Sequence, residues 1–208
     1  MHKVAALQMN SGNDVQANLN KAQSLITSAA DQGAKFIVLP ENFAFMGVNP
    51  KDVLSHGESI GEGPIQAFLV DMTQKHQVWI NSGTIPIIGS DSTKVRGASI
   101  LYDDKGAVVC RYDKVHLFDV TLKDTGESYH ESDYIEPGEE IVVAQTPFGN
   151  IGIAVCYDLR FPELFRKMHD HNVEIIVVPS AFTETTGRAH WQILLRARAI
   201  ENQAYIVA

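Results

Sequence analysis

Three reactive side chains follow directly on apolar runs of this 208-residue chain. Glu41 comes after FIVLP, Lys114 after VVCRYD, and Cys156 closes IGIAVC. The ends of buried strands are where α/β sheets gather their chemistry. A thiol, a carboxylate and an amine together suit nucleophilic acyl transfer, in which the sulfur attacks, a base takes its proton and a cation meets the charge that develops on oxygen. A free cysteine, with a pKa near ~8.5, needs such help near neutrality. The amide of Tyr157, next in the turn after Cys156, is a candidate second donor to that oxygen. Attack would expel ammonia or an amine and leave a thioester, and the carboxylate would then activate water to hydrolyse it. That chemistry requires neither a metal nor an organic cofactor.

Other polar residues read as structural. Cys110 lies within an apolar strand and reads as a core thiol. Asp158, Arg160 and Glu163 flank the nucleophile and read as ion-pairing and helix-start residues that fix its turn. Arg196, Arg198 and Glu201 have spacings that favour local pairing or subunit contacts. His169 and His171, two apart at a helix end, point to different faces and do not suit zinc. Gly61 to Gly63 lack the strand and the further glycines of a dinucleotide loop.

The elements that must position these residues are legible from periodicity. Strands are expected at KVAALQM, KFIVLPENF, VWINSGTIPII, GASILYDDKG, AVVCRYDKVHLF, EIVVAQTPFG, NIGIAVCYD, VEIIVVPSAF and AYIVA, with Gly149-Asn150 as the turn of one hairpin. Helices are expected at QANLNKAQSLITSAADQG, GPIQAFLVDMTQKHQ, PELFRKMHDHN and AHWQILLRARAIENQ. Buried strands alternating with helices imply sheets covered by helices, and the hairpins make those sheets mixed. AADQGAKFIVLPENF echoes HDHNVEIIVVPSAF, so two similar halves packed face to face would give a helix–sheet–sheet–helix sandwich. No linker or low-complexity segment interrupts the chain, and one domain over residues 1–208 is expected. The chain stops at AYIVA within a strand pattern, which reads as part of a longer domain.

Composition narrows the function classes. Seventeen basic against twenty-five acidic residues give a net charge of −8, which argues against a binder of nucleic-acid backbones. No apolar run has membrane-spanning length or the form of a signal peptide. Two cysteines imply no disulfide framework, so the expected location is cytoplasmic.

LPENF, YDKVHLFD and CYDLRFPEL closely resemble, in order, the three signature segments of the nitrilase superfamily of carbon–nitrogen hydrolases. PSAFTETTGRAHWQILLRARAIENQAYIVA looks like the Nit branch of amidases within it. The resemblance implies a four-layer αββα fold with two mixed β-sheets. It casts Glu41 as general base, Lys114 as electrostatic stabiliser and Cys156 as nucleophile, and it adds Glu131, in HESDYIEPG, near the substrate. It also implies a homodimer through the last long helix, whose Ile193, Leu194 and Ile200 exceed what one sheet face needs. The expected reaction is hydrolysis of a linear carboxamide to an acid and ammonia. LFDV, PSAFTETTG and LLRARAIENQ look closer to deaminated-glutathione amidases than to ω-amidases of 2-oxoglutaramate or 2-oxosuccinamate. A nitrilase, a glutaminase half and a non-catalytic binding module are the other readings. Either amide substrate is anionic, so a pocket cation besides Lys114 is expected.

Overall fold

In this chain the alternation of apolar residues sorts each strand's side chains into two layers. The computed structural model describes residues 2–91, 93–121, 126 and 128–208. The first sheet contains β1 (Lys3–Ala6), β2 (Ala34–Val38), β3 (Trp79–Asn81), β4 (Ile85–Ile88), β5 (Val95–Tyr102) and β6 (Val108–Asp113). β1, β2 and β3 run parallel, while β5 runs antiparallel to β3, β4 and β6. After a β7–β8 hairpin (Asp119–Thr121 and Ser128–His130), the remaining sheet holds β9 (Val143–Thr146), β10 (Gly149–Ile153), β11 (Ile175–Val177) and β12 (Tyr205–Val207). β9 is antiparallel to β10, and the other neighbours are parallel.

Among the described residues, four α-helices cover these sheets: α1 (Val15–Asp31), α2 (Pro64–His76), α3 (Pro162–Asp170) and, after the single turn α4 (Glu184–Thr186), α5 (Gln192–Asn202). Three apolar clusters separate the layers. Leu19, Ile26, Leu69 and Met72 of α1 and α2 pack with Ile37, Ile80 and Ile100 of the first sheet. Between the sheets, Phe36, Val38, Leu101 and Tyr112 meet Ile151, Ile153 and Val177. Leu164, Phe165 and Met168 of α3 pack with Ile176 and with Leu194 and Leu195 of α5. Adjacent residues of β2 thus serve different cores, as a period of two requires, and the architecture is the expected helix–sheet–sheet–helix sandwich.

Four local expectations are corrected. VWINSGTIPII is two strands, interrupted at Gly83, whose backbone has φ +64° and lies so near the Pro40 carbonyl oxygen that a Cβ would approach it to 1.9 Å. The hairpin turn is Pro147-Phe148, and Gly149 and Asn150 already pair with Thr146 and Gln145. The last long helix begins with a π-helical segment, Gly187–Trp191. Leu194 packs inward, while Ile193 and Ile200 are exposed. The short β7–β8 pair lacks a continuous apolar run and was not foreseen.

Candidate active site

Each candidate residue leaves its strand at the same end of the sandwich. β2 runs through Leu39 and Pro40 into Glu41, which is buried. β6 ends at Asp113, so Lys114 is the first residue beyond it, held by N–H donation to the Gly97 carbonyl and by acceptance from the Gly138 N–H. β10 leads to Cys156, which opens a 3-10 turn, Cys156–Arg160, with φ +47°. A non-glycine residue in this left-handed region is strained, by about 1–3 kcal/mol, and persists only where its surroundings enforce it.

Asp158 supplies much of that enforcement. Fully buried, its Oδ2 accepts the Val155 N–H at 2.8 Å and the Tyr112 hydroxyl at 2.7 Å. Its Oδ1 accepts the His116 N–H at 3.0 Å and lies 2.7 Å from His116 Nδ1. The same carboxylate therefore ties the nucleophile turn to both flanks of Lys114. The Cys156 N–H donates to the Pro179 carbonyl at 2.9 Å, and Arg198 of α5 donates to the Leu159 carbonyl through Nε and Nη2 at 3.1 and 2.8 Å. The expectation that Asp158 fixes the turn is met, with hydrogen bonds as the means.

Lys114 Nζ donates to Glu41 Oε1 and to both oxygens of Glu131, each at 2.9 Å. Glu41 Oε2 accepts the Ala181 N–H at 2.8 Å, and Glu131 Oε2 accepts the Phe118 N–H at 2.6 Å. The two echoing segments thus meet: Glu41 follows one proline and Ala181 lies just past the other. The Glu41 carboxylate and the Lys114 ammonium both act electrostatically on the Cys156 thiol.

These contacts fix the charge distribution. Burial first, and then the negative charge of Glu41, push the Cys156 thiol well above its ordinary range despite Lys114. Burial alone would lower the Lys114 ammonium, but Glu41 and Glu131 together hold it well above the usual lysine value. Burial raises Glu131 even though Lys114 opposes it. Burial and Glu41 thus favour the thiol form of Cys156, and the two glutamates favour the charged form of Lys114.

All four groups open into a cavity of about 270 Å³. Phe118, Tyr129, Tyr134 and Phe182 also line it, as does Tyr157, the second residue of the nucleophile turn. The first amides of a helical turn, that of Tyr157 among them, have no acceptor within it. The β7–β8 pair explains how Glu131 arrives, since it carries Phe118 at its entrance and Glu131 at its exit.

Arg160 departs from its expected role. Rather than pairing within the turn, it lines the cavity and is the second cation to do so, after Lys114, among the described residues. A second pocket cation was expected without a residue being named, and Arg160 stands at that kind of position. Its place right after Cys156-Tyr157-Asp158-Leu159 was a usable signal, because a short turn keeps neighbouring side chains near one mouth. Cys110, on β6, contributes to the cluster between the sheets, as expected.

A family model described as carbon-nitrogen hydrolase matches residues 3–208. The chain is 44% identical to the deaminated glutathione amidase of Yersinia enterocolitica, over 99% of this chain and 71% of that protein. It is 39% identical to the Homo sapiens protein of the same name, over 99% of this chain and 63% of that one. Its structure is similar to the C. elegans NitFhit protein, with TM-score 0.90 and 34% identity over 99% of this chain and 50% of that one. It is also similar to Saccharomyces cerevisiae Nit3, a member of branch 10 of the nitrilase superfamily, with TM-score 0.83 and 31% identity over 95% and 70% of the two chains. With the αββα layers and the strand-end cluster, these similarities establish that the chain belongs to the carbon–nitrogen hydrolase family.

Proposed function

We propose that the chain is a cysteine amidase that cleaves the amide of the 2-oxoglutaramate moiety of deaminated glutathione. The observation that carries this reading is the convergence of Cys156, Glu41 and Lys114 on one cavity. Glu41 takes the thiol proton as Cys156 Sγ bonds to the carbonyl carbon, and the carbonyl π electrons move onto oxygen. Lys114 Nζ and the Tyr157 N–H meet that oxyanion. Protonated Glu41 then returns its proton to the leaving nitrogen as the C–N bond breaks, which leaves a thioester. Glu41 next takes a proton from water, whose oxygen attacks the thioester, and the departing sulfur recovers the proton. Glu131 holds the ammonium in place through both of its oxygens.

A primary amide treated in this way yields ammonia. In deaminated glutathione the nitrogen belongs to cysteinylglycine, so the products are 2-oxoglutarate and that dipeptide. A cavity of about 270 Å³, near the lower end of the ~300–1,000 Å³ typical of small-molecule sites, suits a ligand of this size. We assign Arg160 to a substrate carboxylate, because it is a lining cation whereas Lys114 is already held by two carboxylates. The site draws on residues from Glu41 to Phe182, which supports one catalytic domain. Chemistry on a free thiol suits a reducing compartment, and we place it in the cytoplasm. No helix among the described residues is long and apolar enough to cross a membrane. We also propose a homodimer through α5, whose Ile193 and Ile200 are exposed.

Steady-state comparison of deaminated glutathione, 2-oxoglutaramate, glutamine and a simple nitrile tests the substrate. Remote contacts that orient the carbonyl should give deaminated glutathione a kcat/KM at least about tenfold above the trimmed 2-oxoglutaramate. The reverse order makes the protein an ω-amidase, and turnover of the nitrile alone removes the amidase reading.

A further inference from the structure

Arg160 is held by two aromatic rings and a histidine rather than by the carboxylates that hold Lys114. Its guanidinium carbon lies 5.8 Å from the Tyr157 ring centre and 5.5 Å from that of Phe182. Its Nη1 lies 3.2 Å from Nδ1 of His190. A guanidinium has donors and no acceptor, so Nδ1 must be the accepting nitrogen and the imidazole must carry its proton on Nε2. His190 belongs to the π-helical segment Gly187–Trp191, and the ring of Trp191 sits 4.9 Å from that of Phe182. Such wide turns recur at functional sites. Here the segment supplies both a ring that packs against Phe182, one of the two rings beside the cation, and the nitrogen that meets one of the cation's edges.

The arrangement has a consequence for recognition. A long arginine side chain at a pocket mouth has many rotamers, and bidentate binding of a carboxylate needs its fork in one plane. The two rings restrict that plane, and His190 then selects the rotation within it. Because His190 is exposed, its hydrogen bond adds little to folding. Its effect should fall on the orientation of Arg160.

We propose that His190 is a positioning residue that fixes the Arg160 guanidinium and so sets the preference for anionic over neutral amide substrates. This rests on the assignment of Arg160 to a substrate carboxylate.

The test compares deaminated glutathione with its methyl-esterified, neutral form, reading the free α-amine that either substrate releases on cleavage. The quantity read is the ratio of kcat/KM for the anionic substrate to that for the neutral one. Arg160→Ala is expected to lower this ratio by more than about tenfold, the scale of one charge-assisted contact. His190→Ala is expected to lower it about three- to tenfold through KM for the anion, with a melting temperature close to the parent's. His190→Asn, whose Oδ1 can occupy the place of Nδ1, should restore most of the ratio. An unchanged ratio in His190→Ala, or equal losses on both substrates, overturns the role of His190 while a low ratio in Arg160→Ala keeps the carboxylate assignment. An unchanged ratio in Arg160→Ala overturns both.

Discussion

Cys156 and Cys110 place the same functional group in two settings that should behave differently. Cys156→Ala removes one sulfur at a pocket and should abolish turnover while leaving the fold intact; any residual activity above about one part in a thousand, by amine release, removes its nucleophilic role. Cys110→Ala should lower stability and leave chemistry nearly untouched. Its thiol is pushed up to about 11, mainly by burial. Since the folded form holds its proton longer than the unfolded chain, its contribution is lost as pH rises from about 9 to about 11, about 3 kcal/mol in all. Replacing Cys110 by Val should therefore flatten the alkaline decline in urea midpoints over that window, and an identical decline refutes the assignment. Glu41→Gln retains the size of the base but cannot accept the thiol proton, so acylation and deacylation should both slow. Unaltered kcat across neutral pH would assign the proton transfer elsewhere. Lys114→Met needs a melting curve beside its kinetics, because it leaves the buried Glu41 and the partly buried Glu131 without their shared cation, at a cost of about 3–5 kcal/mol.

Secondary-structure elements matter here through their ends, and the joint between β2 and the break after β3 shows how. Glu41 is placed by a backbone that passes Gly83 too closely for a side chain, with a built Cβ 1.9 Å from Pro40 O. Gly83→Ala should thus displace the Pro40-Glu41 segment and lower kcat by tenfold or more together with stability, whereas Gly12→Ala, where nothing lies within 4 Å of the added carbon, should do neither. Kinetics and thermal melts of the two variants decide it. The strands that lead to Glu41, Lys114 and Cys156 were legible because buried strands are written as unbroken apolar runs, and the proline after β2 marked where that strand stops, whereas the strand expected over AVVCRYDKVHLF ends at Asp113. Gly83 was not read as a break because its need arises from Pro40, far away in sequence. Glu131 came only from the family resemblance; its own surroundings, polar and loop-like, look like those of any solvated glutamate. Arg160 was misassigned for a related reason. A run of charges after a nucleophile suggests local pairing, and only the fold shows that the Arg160 side chain turns outward to Tyr157 and Phe182. Asp158 was read correctly as a turn-fixing residue, although its reach to Tyr112 and His116 depends on the packing of the two sheets.

At the scale of the molecule, α5 faces two ways. Leu194 and Leu195 pack inward beside α3, and buried Arg198 reaches the Leu159 carbonyl within the nucleophile turn. Ile193 and Ile200, seven residues apart and therefore on one face, are 70% and 77% exposed, and Tyr205 on the neighbouring β12 is 80% exposed. Large apolar side chains left in water on one helix face and an adjacent edge strand are the pattern of an association surface, and a two-fold axis would set each α5 against its copy. The expected state is a homodimer at micromolar concentration by sedimentation velocity. Ile193→Glu with Ile200→Glu should yield the monomer, because two carboxylates per protomer would have to be desolvated on closing the interface. The helix that forms this surface also grips the turn beneath Cys156. The charged pair of substitutions should therefore lower kcat through a looser Arg198–Leu159 contact, even though neither isoleucine lines the cavity. Retention of full kcat by a monomeric variant would separate assembly from catalysis, and a monomeric parent protein would remove the interface.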